Sequence, residues 1–128
     1  MRYILSLLVL LCVLTTTSQM QGQTAEELHR KANAYAASGK HSEAIVLYNK
    51  SIETKPTAEA YSDLGISYGS LGQFDNEIPC YQKALDLRPH YTDALTNLGN
   101  AYSSKGQYDK AIESFQASIY DLKDIYIA

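Results

Sequence analysis

The sequence predicts an all-α fold, an α-solenoid of about six helices in antiparallel pairs that follows an N-terminal signal segment. Glycine, aromatic and small residues each recur at intervals of 33 and 34 residues. They are Gly39, Gly72 and Gly106; Tyr48, Tyr81 and Phe115; and Ser51, Ala84 and Ser118. A fixed period of this size is the signature of a repeat array, in which each unit packs mainly against its neighbours.

The composition is that of a small soluble domain. The chain has 128 residues, 45% hydrophobic and 20% charged, with a formal net charge of −3. A protein that binds nucleic acid needs a basic surface to neutralise phosphates, so we expect no nucleic-acid partner. The 11 tyrosines are interpreted as packing residues between helices, since tyrosine combines a large apolar area with one polar group.

Residues 1–22 differ from the rest of the chain. Met1 and Arg2 form a short basic start, Tyr3–Leu14 is almost wholly apolar, and polar residues follow. This pattern predicts a secretory signal peptide, since an apolar run of about 12 residues is shorter than the roughly 20 that a spanning helix needs. We therefore expect an exported protein, secreted or periplasmic. The alternative is an uncleaved segment that anchors the protein in a membrane.

Removal of the signal segment would leave one cysteine, Cys80, because Cys12 lies within that segment. A disulfide within the mature chain is then impossible, although an exported protein could form one. Cys80 lies in an apolar helical stretch, so we interpret it as a buried and unreactive thiol.

Each repeat has the pattern of a helix, a turn at glycine, and a second helix. We expect each glycine to lie just past a helix end, where a left-handed residue is favoured. Ser42 and Asp75 are predicted to cap the second helices, and Pro56 and Pro89 to end them. The predicted repeats are residues 25–57, 58–91 and 92–125.

Two residues of the second repeat break simple helix rules. Gly65 lies within a predicted helix, where glycine costs about 1 kcal/mol relative to alanine, so we expect another helix to approach closely there. Pro79 is predicted to fall at the end of the first turn of the next helix and to distort its start without breaking it.

These residues resemble the tetratricopeptide repeat signature. The matches are Leu64-Gly65, Tyr68, Gly72, Tyr81, Ala84 and Pro89 in the second repeat, and Leu98-Gly99, Tyr102, Gly106, Ala111 and Phe115 in the third. The first repeat is weaker, with Lys31-Ala32 in place of Leu-Gly, and Glu77 stands where the family prefers a small residue. The resemblance covers residues 25 to about 125 and implies a right-handed solenoid whose concave groove is lined by the first helix of each pair.

The resemblance also implies a set of groove residues that are small, polar and mildly acidic. The candidates are His29, Asn33, Ser62, Asp63, Ile66, Asp93, Thr96, Asn97 and Asn100. Asparagine side chains can both donate to and accept from a peptide backbone. The favoured interpretation is a non-catalytic scaffold that binds a peptide or protein segment in this groove, outside the cytoplasm. A merely solvated face is the alternative.

Some members of this family grip the C-terminal carboxylate of chaperones with two asparagines and several basic residues. The matching positions here hold His29, Asn33, Asp63, Asp93 and Asn97. Only Asn33 matches the residues that grip this carboxylate, and the carboxylates of Asp63 and Asp93 would repel it. We therefore expect no appreciable binding of such peptides.

Catalysis is not indicated. The three histidines show no metal-ligand spacing, and the sequence has no glycine-rich phosphate loop and no local catalytic signature. We expect no catalytic residue, no metal and no cofactor.

The chain ends with the apolar segment YDLKDIYIA, whereas solenoids usually end on a polar cap. Lys123 replaces the helix-ending proline, so the last helix is expected to continue towards Ile127. This segment could pack back on the groove, pair with another molecule, or continue into further repeats if the chain is a fragment. The alternative function is therefore a structural or assembly module that self-associates through the C-terminal helix.

Overall fold

A computed structural model describes residues 3–6 and 22–127. Residues 3–6 are helical, and most of the predicted signal segment lies outside the described residues. The remainder forms six helices: α1 Ala25–Ala37, α2 His41–Thr54, α3 Ala58–Ser70, α4 Phe74–Leu87, α5 Thr92–Ser104 and α6 Tyr108–Ile127. Within the described ranges, no helix has the length and apolar character that a membrane crossing requires.

The helices pack in chain order. The pairs α1–α2, α3–α4 and α5–α6 make the most extensive contacts, and α2–α3 and α4–α5 join one pair to the next. The first helices also meet weakly, α1 with α3 and α3 with α5. The predicted solenoid is therefore confirmed, and it places the first helix of each pair side by side along one face.

Each helix pair turns at a glycine, as predicted. Gly39, Gly72 and Gly106 have φ values of 75°, 70° and 72°. The N–H of Gly39 donates to the Ala36 carbonyl oxygen and that of Lys40 to the Tyr35 carbonyl oxygen, both at 2.9 Å. The other two turns repeat these bonds. They form a Schellman motif, which needs a left-handed residue that glycine adopts without steric cost.

The two predicted N-caps are wrong. The second helices begin at His41 and Phe74, so their N-caps are Lys40 and Gln73, and neither makes a side-chain cap bond. The Schellman turn explains why each helix starts earlier than predicted, because the last residue of the turn is already the N-cap of the next helix. Ser42 therefore lies inside α2.

Asp75 likewise lies inside α4, whose start differs from the prediction as a result. Pro79 is the sixth residue of α4 and lies in its second turn, not at the end of the first. The helix is nevertheless unbroken from Phe74 to Leu87. Pro79 and Asp75 are both exposed, so water can satisfy the carbonyl that the missing N–H would have bonded.

The core lies between successive repeats. One buried cluster joins repeats one and two through Ala32, Ala44, Tyr48, Leu64 and Cys80, and a second joins repeats two and three through Ile78, Tyr81, Leu98 and Ala101. The expectation for Cys80 is confirmed, since the residue is 8% exposed and unpaired. Burial, together with the charge of Glu77, raises the pKa of its thiol to about 11, so the thiol stays protonated and unreactive at neutral pH.

Two glycines allow the helices of a pair to approach closely, as expected for Gly65. A Cβ atom at Gly65 would lie 2.7 Å from Cε1 of Tyr81, and one at Gly99 would lie 2.6 Å from Cε1 of Phe115. Both distances are shorter than a Cβ atom tolerates. The aromatic ring of the second helix thus packs on the bare backbone of the first.

The last helix is longer than the others, with 20 residues, and continues to Ile127 as expected. His90, in the turn before α5, contacts Asp121 with 2.7 Å between Nδ1 and Oδ1. The hydrogen bond and charge of Asp121 raise the pKa of His90. Beyond this contact Tyr126 and Ile127 are 84% and 82% exposed, so these two side chains do not pack back on the groove.

Replacement of Gly99 by alanine should lower the free energy of unfolding by about 1–3 kcal/mol, because the new methyl group overlaps the Phe115 ring. Urea denaturation followed by circular dichroism measures this. Ser103→Ala, at an exposed position of the same helix, should change stability by less than about 0.5 kcal/mol. A Gly99→Ala variant as stable as the native chain would contradict the close-packing account.

Candidate functional site

The face formed by the first helices carries two adjoining cavities between α3 and α5, and α4 also lines the second of them. The first, here called the aspartate cavity, measures about 300 Å³ and is lined by Ser62, Asp63, Ile66, Tyr91, Asp93, Thr96 and Asn97. The second, the Glu77 cavity, measures about 290 Å³ and is lined by Ile66, Gly69, Phe74, Glu77, Tyr81, Asn97, Asn100, Ala101 and Ser104. They share Ile66 and Asn97 and so form one continuous groove.

The structure brings together seven of the nine predicted groove residues. Six line the aspartate cavity, and Asn100 lines the Glu77 cavity. Two of the seven face the protein: Ser62 is 2% exposed, and the Thr96 hydroxyl lies 3.0 Å from that of Ser118 on α6. Sequence spacing placed these residues on the correct helices but could not show that their hydroxyl groups are already used or covered.

The other two predicted residues, His29 and Asn33, lie on α1 and join a polar cluster. His29 Nε2 lies 2.7 Å from Asp63 Oδ2, and the Tyr48 hydroxyl donates to Asn33 Oδ1 at 2.6 Å. Burial, and secondarily the charge of Asp63, raises the pKa of Tyr48 to about 12, so its hydroxyl remains a donor. The Tyr48 hydroxyl therefore uses one lone pair of the Asn33 amide oxygen, and the second lone pair and the NH₂ group remain for a ligand.

The groove is acidic. Glu59, at its edge, is paired with Arg88, and Asp63 contacts His29. In contrast, the ion pairs among the described residues include neither Asp93 nor Glu77. Two carboxyl groups thus line the groove without a cationic partner.

Glu77 is the most unusual residue of the site. It is only 8% exposed, its Oε1 accepts a hydrogen bond of 3.1 Å from the Tyr81 hydroxyl, and its buried Oε2 has no hydrogen-bond partner among the described residues. Burial raises the pKa of the carboxyl group, against the opposing effect of the Tyr81 bond. Unpaired buried carboxylates are costly and cluster at functional sites.

Glu77 fits because Gly69 faces it. A Cβ atom at Gly69 would lie 2.5 Å from Glu77 Oε1. At the equivalent pairs of positions the first repeat has Ala36 and Ala44, and the third has Ser103 and Ala111. The sequence showed Glu77 as a departure from the family, but we did not predict it as a site residue. Its pairing with Gly69 is the signal that could have found it.

Nothing in the described part of the chain suggests a metal centre. No group of three or more His, Cys, Asp or Glu side chains among these residues is close enough to hold a metal ion. The chemistry that the groove offers is hydrogen bonding by amides, attraction of positive charge, and apolar contact at Ile66, which is 44% exposed.

The class defined by this fold and groove is the helical-repeat solenoid with an open concave surface. The tetratricopeptide repeat family profile matches residues 25–57 and 56–119. The chain therefore belongs to the tetratricopeptide repeat family.

Among characterised relatives, the mitochondrial import receptor subunit TOM70 of Saccharomyces cerevisiae is 32% identical over 79 residues. This match covers 62% of the chain and 13% of the relative. The chain thus spans only a small part of the length of that protein.

Several solved structures share the fold. MamA has a TM-score of 0.80 at 26% identity, over 82% of this chain and 62% of that one. The first TPR of Spaghetti (RPAP3), bound to the HSP90 peptide SRMEEVD, has a TM-score of 0.75 at 25% identity, over 77% and 79%. The Sgt2 TPR domain from Aspergillus fumigatus has a TM-score of 0.74 at 25% identity, over 77% and 66%.

The substitution Glu77→Gln should stabilise the protein at neutral pH. The folded state raises the pKa of Glu77, so ionisation destabilises the fold, and the native chain loses stability as pH rises above the unfolded value near 4.3. The stability difference between the variant and the native chain should therefore grow between about pH 4 and pH 7. Urea denaturation across this range measures it.

The nearby groups Cys80 and Tyr81 do not disturb this measurement, since burial raises the pKa of both and they stay protonated throughout. Glu113→Gln, at an exposed site on α6, is the control and should show no such growth. If the difference in unfolding free energy between Glu77→Gln and the native chain stays constant with pH, burial does not raise the pKa of Glu77 as described.

Proposed function

We propose that this protein is a non-catalytic interaction scaffold that binds a peptide or protein segment in the groove along α1, α3 and α5, outside the cytoplasm. The observation that carries the proposal is the pair of adjoining cavities between α3 and α5, which together form one open groove lined by amides, carboxyl groups and one exposed isoleucine. The signal-like N-terminal sequence supports the exported location.

The groove suits an extended segment. Asn97 and Asn100 lie one helical turn apart, so their amides can each pair with a peptide backbone group that passes along α5. Ile66, opposite them on α3, offers apolar contact where the two cavities meet. Amide contacts with the backbone supply affinity, and pockets for side chains supply specificity, as in other modes of peptide recognition.

The relatives support peptide binding as the class of function. The Spaghetti repeat domain was solved with a bound peptide, SRMEEVD. The present groove contains two carboxyl groups, Asp93 and Glu77, that have no cationic partner among the described residues. We therefore keep the expectation that acidic peptides of that kind do not bind here, and SRMEEVD serves as the negative probe.

The substitution Asp93→Lys should weaken groove binding about tenfold or more, because it replaces an exposed carboxylate of the groove with a cation. Peptides selected on the full chain from a displayed random library provide the ligands. Isothermal titration measures their affinity, and NMR chemical-shift changes show where they bind.

Asp109→Lys is the matched control. Asp109 occupies the first turn of α6 as Asp93 occupies the first turn of α5, so both substitutions alter helix-end electrostatics equally, but Asp109 lines neither groove cavity. Its variant should bind as the native chain does. Selected peptides that contact only residues outside α1, α3 and α5 would refute groove binding.

A second candidate function is assembly through α6. Ile45 and Ile52 on α2, and Ile78 and Leu85 on α4, pack against the following repeat. Ile112 and Ile119 occupy the same register on α6 and are 53% and 52% exposed. The outer face of α6 therefore has the pattern of a surface that receives a further helix.

The opposite end of the solenoid does not complement this face. Leu64 and Leu98 are buried against the preceding repeat, but the equivalent residue of α1 is the exposed Lys31. Burial of a lysine against the apolar α6 surface would be unfavourable. Self-association is therefore proposed to be symmetric, α6 against α6, and not head to tail.

The double variant Ile112→Lys/Ile119→Lys should shift the mature chain from dimer to monomer in analytical ultracentrifugation, because it places like charges on the apolar face. Val46→Lys is the control, since Val46 is equally exposed, at 53%, but lies on α2. The Asp93→Lys variant should assemble normally. A native chain that stays monomeric across the concentration range would overturn this second candidate.

A further inference from the structure

We propose that the Glu77 cavity receives one cationic side chain, lysine or arginine, of the segment that binds in the groove. This inference rests on the proposed groove binding and adds its specificity: the partner segment carries a basic residue, and this residue fixes the register in which the segment lies.

The geometry carries the inference. Glu77 is 8% exposed, and its Oε2 lacks a hydrogen-bond partner among the described residues. The carboxyl group lines a cavity of about 290 Å³ that adjoins the aspartate cavity through Ile66 and Asn97. That volume lies at the small end of ligand pockets, which suits a single side chain better than a whole small molecule.

The other groups of the cavity also suit a cation. Phe74 supplies an aromatic ring, and Asn97 and Asn100 supply amide oxygens. Carboxylates, aromatic faces and amide oxygens are the three kinds of protein group that attract ammonium and guanidinium ions. An apolar side chain would leave the charge of the Glu77 carboxylate without a partner, and an acidic one would be repelled.

The protein does not provide this cation itself from the residues described. Lys105, at the end of α5, contacts Asp75 with 2.5 Å between Nζ and Oδ1. None of the described ion pairs involves Glu77. The raised pKa of Glu77 agrees with a carboxyl group that lacks a nearby positive charge.

The cavity is specific to the second repeat. The equivalents of Glu77 are Ala44 and Ala111, and only Gly69 leaves room for the larger side chain. Glu77 is a buried carboxyl group, whereas Asp63 is partly exposed and Asp93 is exposed, and the other two repeats have alanine at its position. The groove therefore has a single enclosed position for a basic residue. This is why the cation would determine register as well as affinity.

The test uses the full chain and peptides selected on it from a displayed random library. We expect the groove-binding peptides to share one position occupied by lysine or arginine. Replacement of this residue by glutamine in the peptide should weaken binding to the native chain about tenfold or more, the range for hydrogen bonds between charged groups. Glu77→Gln should cause a similar loss and should bind both peptides equally well.

Two controls distinguish binding of a cation in the Glu77 cavity from attraction by the overall negative charge of the protein. Glu113→Gln removes the same charge at an exposed site on α6 and should keep the preference for the basic peptide. Asn100→Lys places a cation at the exposed rim of the cavity and should weaken the basic peptide more than Gln116→Lys, an exposed site on α6. If Glu77→Gln fails to fold, the comparison of Asn100→Lys with Gln116→Lys still tests whether the cavity binds the basic residue.

The outcomes are distinguishable. Peptides that bind the groove without a shared basic position, or that bind the native chain and both Glu77→Gln and Asn100→Lys with equal affinity, would overturn this inference and leave groove binding intact. A selection that yields no peptide, or only peptides that bind elsewhere, would refute both proposals. The inference would be supported if Glu77→Gln loses the preference for the basic peptide and the control Glu113→Gln keeps it.

Discussion

Close approach of the two helices within each pair is the constraint on which the rest of this structure depends. The rings of Tyr81 and Phe115 pack on the bare backbone at Gly65 and Gly99. Glycine there forgoes helix propensity, about 1 kcal/mol per residue, and the burial of a large aromatic ring compensates for it. Closely packed pairs can then stack on one another, which places the first helices side by side and creates the groove.

The candidate site lies where one repeat departs from this regular pattern. In the second repeat a carboxyl group replaces the small residue found in its neighbours, and Gly69 removes the side chain that would block it. A buried acid without a partner works against stability. Local rules are usually broken at functional sites, where the compensating gain comes from a ligand. This contrast distinguishes the Glu77 cavity from the rest of a largely polar and solvated face.

The two ends of the solenoid differ for the same physical reason. The first and second repeats each pack an apolar strip of their second helix against the next repeat, and α6 keeps that strip although no described helix covers it. At the other end, α1 carries Lys31 where the second and third repeats carry a buried leucine. One end therefore resembles a polar cap, and the other resembles an interface. The groove and the α6 face are separate surfaces, so substitutions can test the proposed binding and the proposed assembly independently.

The sequence alone determined the architecture, because the repeat period, the glycine turns and the aromatic positions are local signals that each copy restates. It also predicted seven residues of α3 and α5 that line the two cavities. It did not determine the helix starts, since the Schellman turn made Lys40 and Gln73 the caps in place of Ser42 and Asp75. Nor did it show that Thr96 is bonded to α6, or that Glu77 is buried with a free oxygen. Those properties depend on which atoms meet across helices, and only tertiary packing decides that.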